Sequence, residues 1–557
     1  MVKKIAFITY ETQYAPSGGI SAVMARLPQQ VSIASGFSSI VLTPLHYKIP
    51  KTAAIINQLE QVGTLKVPFD GKKKAVLIQR MDNDQNHYFL QPKDKRIFAG
   101  SHHPYDVGTR QEDKLPVLLR DALFFGVAAV QALPVISPQT TWILMMQDWE
   151  AATAVLALTG VEPANEFKAF LTLHNSYDNH VGDEDLLRFA IDPTLCPGKT
   201  LLERALPLVN KPVFTVSETF ASDFKEEILQ TEIMAPHLKD LLSTILVGVN
   251  NGLFIDLGVP KDILLATKGG GFSRLEKWKS ENRQEALTAL QTIQPDKDKP
   301  LWGNLRKFKL DNVPWFVLAG RDDPRQKGFD VACLAIRKFL EKGGDARFLF
   351  LPIPGDEGLA GLDFLRNLAL NFPHQVIVLP FIFREGYFAT LRGAAYGVMP
   401  SFYEPFGMAN EFYLMGTVGI GRATGGILQQ IVPYRAASAF SPAVQIRSNK
   451  LYGSSAHPTG ILYREPDEIP TVIEDWQGIN AAGYDKSGKK PDRVKQRASF
   501  GLFREMAEEL CIAIEDGVKV YLEKPELYYN MLAEGITYLQ NNFSWERTSQ
   551  TYARYIK

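Results

Sequence analysis

Short β-rich apolar runs alternate with helical stretches along the chain, and this rhythm stops once and then restarts. Ile5–Tyr10, Ser39–Leu45, Lys74–Ile78, Trp142–Met146, Ala169–Leu173, Val213–Val216 and Thr244–Val249 read as buried strands. Each is a short continuous apolar run between turn signals. Helical patterns such as Ser21–Val31, Lys114–Leu133 and Pro197–Val209 lie between them. Strands alternating with helices predict a parallel sheet covered on both faces. Gly269-Gly270-Gly271, the charged stretch Glu276–Arg283 and the polar break Gln294–Pro300 interrupt the rhythm. It resumes at Trp315–Ala319, Arg347–Ile353, Gln375–Phe381 and Gly397–Pro400, and two long helical patterns, Arg497–Tyr521 and Pro525–Asn541, precede Trp545–Ile556.

The expectation is an α/β protein of two doubly wound domains facing across a cleft. A first domain takes residues 1–255 plus 540–557, a helical connector 256–312, and a second domain 313–539. The chain's 557 residues exceed what one core usually organises. Ligands of such sheets bind beyond the strand carboxyl ends, so that is where chemistry is sought.

Composition narrows the classes of function. Lys+Arg 61 balance Asp+Glu 61, which argues against coating nucleic acid or an anionic membrane and leaves room for a small anion held by local cations. Cys196, Cys333 and Cys511 lie far apart, with no metal-ligand spacing, so reduced thiols and no structural metal are expected. The apolar run at the N-terminus is closed by Glu11, too early for a signal peptide. Ala122–Ile136 contains Gln131 and Pro134 and falls short of a span of about 20 residues. These readings point to a cytoplasmic chain with no membrane or nucleic-acid partner.

Four segments carry candidate chemistry. Tyr14–Ile20 holds Gly18-Gly19 after the first strand, where a backbone can approach a phosphate or sugar and a helix N-terminus can face it. Its plainer reading is a tight βα turn. Gly320–Gly328 follows a strand and offers Arg321 and Lys327, a bidentate donor and a point charge suited to a diphosphate. Over Asn304–Gly328, Arg306, Lys307, Lys309, Arg321, Arg325 and Lys327 outnumber Asp311, Asp322 and Asp323 by three. The plainer reading pairs Asp322 and Asp323 with those cations. Met399–Glu411 places Glu404, Gly407 and Met408 before a helix, so Glu404 can face a sugar or stabilise positive charge on it. Glu411 can hold ribose hydroxyls, or simply face the helix dipole. Thr172–Asn175 sets His174 at a strand end, either beside a sugar hydroxyl or as a structural histidine. Gln147–Glu150 ends another strand, and Arg422–Gly426 forms a further glycine-rich turn.

Taken in order, the GGI turn, TLHN, VFTVSETFA, ILVGVN, GRDDPRQKGFD, MPSFYEPFG, RATGGI and NNFSWERTSQTYARY resemble the bacterial glycogen and plant starch synthases. Those are retaining glycosyltransferases with two Rossmann-like domains, the GT-B fold. The resemblance implies that the terminal helix crosses back to the first domain. It implies Glu404, His174, Arg321 and Lys327 as the catalytic set, and donor-binding roles for Gly18, Gly19, Phe406, Gly407, Met408, Glu411, Thr424 and Gly425. Phe381 or Phe383 would stack on the base. No cofactor or metal is implied, because cations and a helix N-terminus neutralise the leaving diphosphate. The implied reaction moves glucose from ADP-glucose or UDP-glucose to an α-1,4-glucan end. Transfer to a small sugar acceptor, as in sucrose and trehalose synthases, and a non-catalytic glucan- or nucleotide-binding homologue stay open. Pro16, Ala22, Gln147 and Val247 stand where the family has other residues. Donor base, acceptor and oligomeric state are left open.

Overall fold

The computed structural model describes residues 2–84, 86–105, 115–159, 167–269, 271–308, 312–482 and 492–557. Lys114, Gly270, Lys309 and Asp311, used above, lie outside the described residues. The chain divides into two units, one of residues 1–252 with Phe543–Lys557, the other of Leu253–Asn542.

The first unit is built on a nine-stranded sheet. Its strands are β1 (Val2–Ile8), β2 (Ser38–Pro44), β3 (Leu59–Phe69), β4 (Lys72–Met81), β5 (His87–Pro92), β6 (Thr140–Gln147), β7 (Phe167–Leu173), β8 (Val213–Thr215) and β9 (Leu246–Gly248). The order is β3-β4-β5-β2-β1-β6-β7-β8-β9. From β5 to β9 every pairing is parallel. β3, β4 and β5 form an antiparallel extension. Lys74–Ile78, expected as a buried parallel strand, therefore belongs to the antiparallel strand β4, whose residues alternate between buried and half-buried. That alternation marks a sheet wet on one face. β6 is buried at all eight positions and forms the centre of the core.

Val117–Ile136 is a 20-residue helix, long and apolar enough by length and composition to cross a membrane. The expected shortfall in length is thus corrected, because the helix begins before Ala122. Here it is the core helix of the unit, 78% buried over its most apolar stretch. Gly126 lets it cross the helix Asp148–Leu158 closely, since a Cβ there would meet Thr153 Oγ1 at 2.3 Å and the Ala154 nitrogen at 2.7 Å. The helix Trp545–Ile556 also belongs to this unit. Ser544 caps it, Tyr552 packs edge-on against Phe214 at 4.8 Å, and Gly252 leaves room for the Trp545 indole.

The second unit holds a six-stranded parallel sheet. Its strands are β10 (Trp315–Arg321), β11 (Arg347–Ile353), β12 (Val376–Val378), β13 (Tyr396–Met399), β14 (Val418–Arg422) and β15 (Ile461–Tyr463). The order β12-β11-β10-β13-β14-β15 is that of a doubly wound nucleotide-binding sheet. Residues 256–312, expected as a connector, fall within this unit and contribute the helices Lys261–Lys268 and Ser273–Gln291. Lys279 on the second of these is buried, and its ammonium donates to the carbonyls of Arg392, Ala394 and Gly416. Burial holds its pKa well below the usual lysine value.

Candidate active site

Among the parallel strands of each sheet the order reverses at one place, and ligands of such sheets bind beside that reversal. In the second unit that place lies between β10 and β13. The loop after β10 carries Arg321 and Lys327, and the loop after β13 carries Glu404 and Gly407. The two loops are fastened together. Phe402 N–H donates to the Gln326 carbonyl at 2.7 Å, and Gly328, at φ 63°, approaches so closely that a Cβ would stand 2.1 Å from the Pro400 carbonyl oxygen. No L side chain fits there.

Lys327 and Glu404 meet in this arrangement, Nζ to Oε2 at 2.7 Å. Ser401 Oγ donates to the same oxygen at 2.9 Å, and Gln326 reaches the other at 3.4 Å. Glu404 is buried, which strengthens every charge interaction it makes. Gly407, at φ 85°, turns the chain back over it, since a Cβ at 407 would meet Glu404 Cγ at 2.7 Å. The N–H groups of Gly407 and Met408 have no acceptor among the described residues, while that of Asn410 is taken by Gln430 at 2.9 Å. Glu411 lies one turn into the helix Ala409–Leu414, and burial pushes its carboxyl up to about 7 while Lys327 opposes the shift.

Arg321 pairs elsewhere, donating to Asp356 at 3.1 Å. Asp322 does not pair with the loop's own cations. Its carboxylate takes Arg493 at 2.8 Å, and Arg497 grips Asp330 at 2.6 Å and the Pro324 carbonyl at 2.8 Å. Asp323 accepts the Arg325 backbone N–H at 2.9 Å. Asp356 and Glu404 also offset much of the positive excess expected on this segment. Arg493, Arg497, Ser401 and Gln326 were missed in the sequence, the two arginines because more than 150 residues separate them from the loop they hold.

Thr424 stands at the start of the helix Gly425–Gln430, and Gly426 N–H donates to the Glu404 carbonyl at 2.8 Å. Packing here demands Gly426, whose Cβ would meet the Phe406 carbonyl oxygen at 2.1 Å. The Phe406 ring stands edge-on to Phe254 at 5.6 Å. Of the two stacking candidates, Phe383 is buried against Gly386 and offers no open face, and Phe381 is half-buried.

In the first unit the reversal lies between β1 and β6. The Gly18-Gly19 turn follows β1, and a carboxylate gathers several of its amides. Glu11 Oε1 accepts from the N–H groups of Ser17 at 2.9 Å, Gly18 at 2.6 Å and Ser21 at 3.2 Å, and its other oxygen accepts from the Tyr105 hydroxyl. In this structure the chain's own carboxylate occupies the Gly18 N–H. Glu11 served the sequence reading only as the end of an apolar run. Gly19 has open space on its Cβ side.

β6 ends in Gln147 and β7 is followed by His174. The two side chains meet, His174 Nε2 to Gln147 Oε1 at 2.8 Å. Asp148, at φ 59°, accepts the His174 backbone N–H and the Asn175 side-chain amide, the latter at 2.8 Å. Burial lowers the His174 imidazole to about 3 and raises the Asp148 carboxyl to about 7, with Glu11 adding to the latter. Glu150 is driven up by burial and by Asp148. Such displaced carboxyls cluster at ligand sites more than elsewhere. Among the described residues no group of three or more His, Cys, Asp or Glu side chains forms a metal-holding cluster. All three cysteines are buried and unpaired with one another.

Residues 4–244 match the starch synthase catalytic domain. The whole fold is similar to the catalytic domain of starch synthase IV from Arabidopsis thaliana, solved with ADP and acarbose, at TM-score 0.65 and 16% identity over 100% of this chain and 99% of that one. It is also similar to sucrose-phosphate synthase from Thermosynechococcus elongatus (TM-score 0.51, 15% identity, 99% and 98% covered). A third likeness is to the N-terminal domain of trehalose-6-phosphate phosphatase from Candida albicans (TM-score 0.51, 12% identity, 100% and 97% covered). No curated protein sequence matches the chain. The two doubly wound sheets and the likeness to starch synthase IV give the chain the GT-B fold, and the match over residues 4–244 places its likeness within that class with the starch synthase catalytic domain.

Proposed function

We propose that the chain transfers glucose, with retention and without a metal, from ADP-glucose or UDP-glucose to the end of an α-1,4-glucan. The observation that carries this reading is the Lys327–Glu404 pair, buried on the Glu404 side and placed where the second sheet reverses its strand order. A diphosphate entering there exchanges Glu404 for a doubly charged partner on Lys327. Arg321 and the Gly407 and Met408 amides supply further donors. Glu404, released from Lys327 by the phosphate, is then a carboxylate able to stabilise positive charge at the sugar's anomeric carbon as the bond to the leaving diphosphate lengthens. Cations and backbone N–H groups thus take the place a metal ion would fill.

The test is release of nucleoside diphosphate from purified protein given ADP-, UDP- or GDP-sugars with glycogen, maltose or fructose. Release with ADP- or UDP-glucose and glycogen supports the proposal, and release only with fructose or maltose replaces the glucan by a small acceptor. Binding of nucleotide or glucan without release under any pairing makes the protein a non-catalytic homologue.

A further inference from the structure

The hydrogen bonds around Gln147 settle a question that a histidine at that position would leave open. Gln147 Nε2 donates to the Met145 carbonyl at 3.1 Å. A carbonyl oxygen only accepts, so the amide nitrogen must face Met145 and the amide oxygen must face the other way. That oxygen stands 2.8 Å from His174 Nε2. An amide oxygen also only accepts, so the proton of the imidazole sits on Nε2. The backbone that carries the ring is fixed as well, because the His174 backbone N–H and the Asn175 side-chain amide are both anchored on Asp148. Among the described residues Nδ1 makes no hydrogen bond.

We propose that Gln147 is a positioning residue that fixes the Nε2–H tautomer of His174 and leaves Nδ1 as a bare acceptor for a hydroxyl group of the sugar ligand. The ligand half of this statement rests on the glycosyltransferase reading, and the tautomer half does not. Burial keeps the ring neutral at pH 7, so His174 adds nothing to the cations that neutralise a diphosphate. It is a hydroxyl acceptor, and it discriminates for a ligand with an O–H in reach of Nδ1 against one that presents only acceptors there. A histidine at that place could present either a bare or a protonated nitrogen, whereas glutamine, tied to Met145, presents one atom type.

Nitrogen NMR of the full chain, labelled with ¹⁵N at its nine histidines, tests this directly. The ring signals missing in His174→Asn are those of His174, and their two-bond proton correlations distinguish Nε2 from Nδ1. Wild type is expected to carry the proton on Nε2. In Gln147→Leu the Nδ1–H form is expected to rise several-fold, with the other histidine signals in place. An Nδ1–H ring in wild type, or an unaltered tautomer in a folded Gln147→Leu, overturns the proposal. If that variant fails to fold, the wild-type spectrum alone decides. In turnover, Gln147→Leu should lower kcat/KM about tenfold, the worth of one hydrogen bond to the ligand. A changed tautomer with unchanged kcat/KM removes the ligand role of Nδ1. The spectrum is readable whether or not any sugar nucleotide turns over, so failure of the functional reading and failure of the tautomer assignment are separate results.

Discussion

Lys327 and Glu404 neutralise each other at 2.7 Å, and that contact makes each a test of the other. Lys327→Ala removes the proposed diphosphate contact and leaves Glu404 buried with only Ser401 and Gln326. The expected loss in kcat is about 10²–10³-fold, the usual worth of one preorganised electrostatic group, measured as nucleoside diphosphate release. Glu411 gives a prediction in pH. Its carboxyl stands at about 7 in the folded chain, above its unfolded value, so the native state binds more protons between roughly pH 4.5 and 7 and loses stability as pH rises through that window. Glu411→Gln should match wild type near pH 4.5 and exceed it in Tm at pH 8. A wild-type Tm that climbs across the window would contradict the sign. At this scale the sequence was a partial guide. Arg321, Lys327, Glu404 and Gly407 could be found from residue type and place after a strand. Glu11 could not, because nothing local says that a carboxylate six to ten residues ahead of a glycine turn will fold back onto it.

Two glycines hold elements together by the atoms they lack. Gly328→Ala places a Cβ against the Pro400 carbonyl and forces φ 63° on an L residue, so the loops carrying Lys327 and Glu404 must part. Activity should fall at least as far as in Lys327→Ala, while overall stability falls by only about 1–3 kcal/mol. Gly126→Ala wedges the helices Val117–Ile136 and Asp148–Leu158 apart. Urea denaturation should show a loss of about 1–3 kcal/mol, with donor binding by the second unit unchanged. Most of the parallel strands were legible because they are short, apolar and bounded by turns, but the three-residue β15 was too short to stand out. β3 and β5 were not, since β3 is largely exposed and β5 has six residues with a histidine first. β14, with two glycines among five residues, hid inside a motif, yet it is buried throughout, and Gly421 makes room for Ile427. Tertiary packing overrides propensity at such places.

The chain passes from the first unit into the second and returns, since Phe543–Lys557 packs with residues 1–252. Removing residues 543–557 uncovers Phe214 and the Gly252 turn. Hydrogen exchange should then rise in Leu27–Ser35, β8 and Asn250–Gly252 and stay unaltered over most of Leu253–Asn542. Exchange that rises equally in both units would overturn the division. Parallel rhythm made the two-sheet plan readable from sequence, but assigning residues 256–312 to the second unit was not, because the long-range carbonyl contacts of Lys279 leave no local signature. The return of the chain also governs the order of synthesis. The second unit is one uninterrupted stretch and is complete when Asn542 has emerged from the ribosome. The first waits for its last helix through about 290 further residues, roughly 15–60 s at ordinary elongation rates. The unit made first is therefore finished last. During that wait the apolar surface around Phe214 stands bare, which marks it as the place where a nascent chain most needs a chaperone.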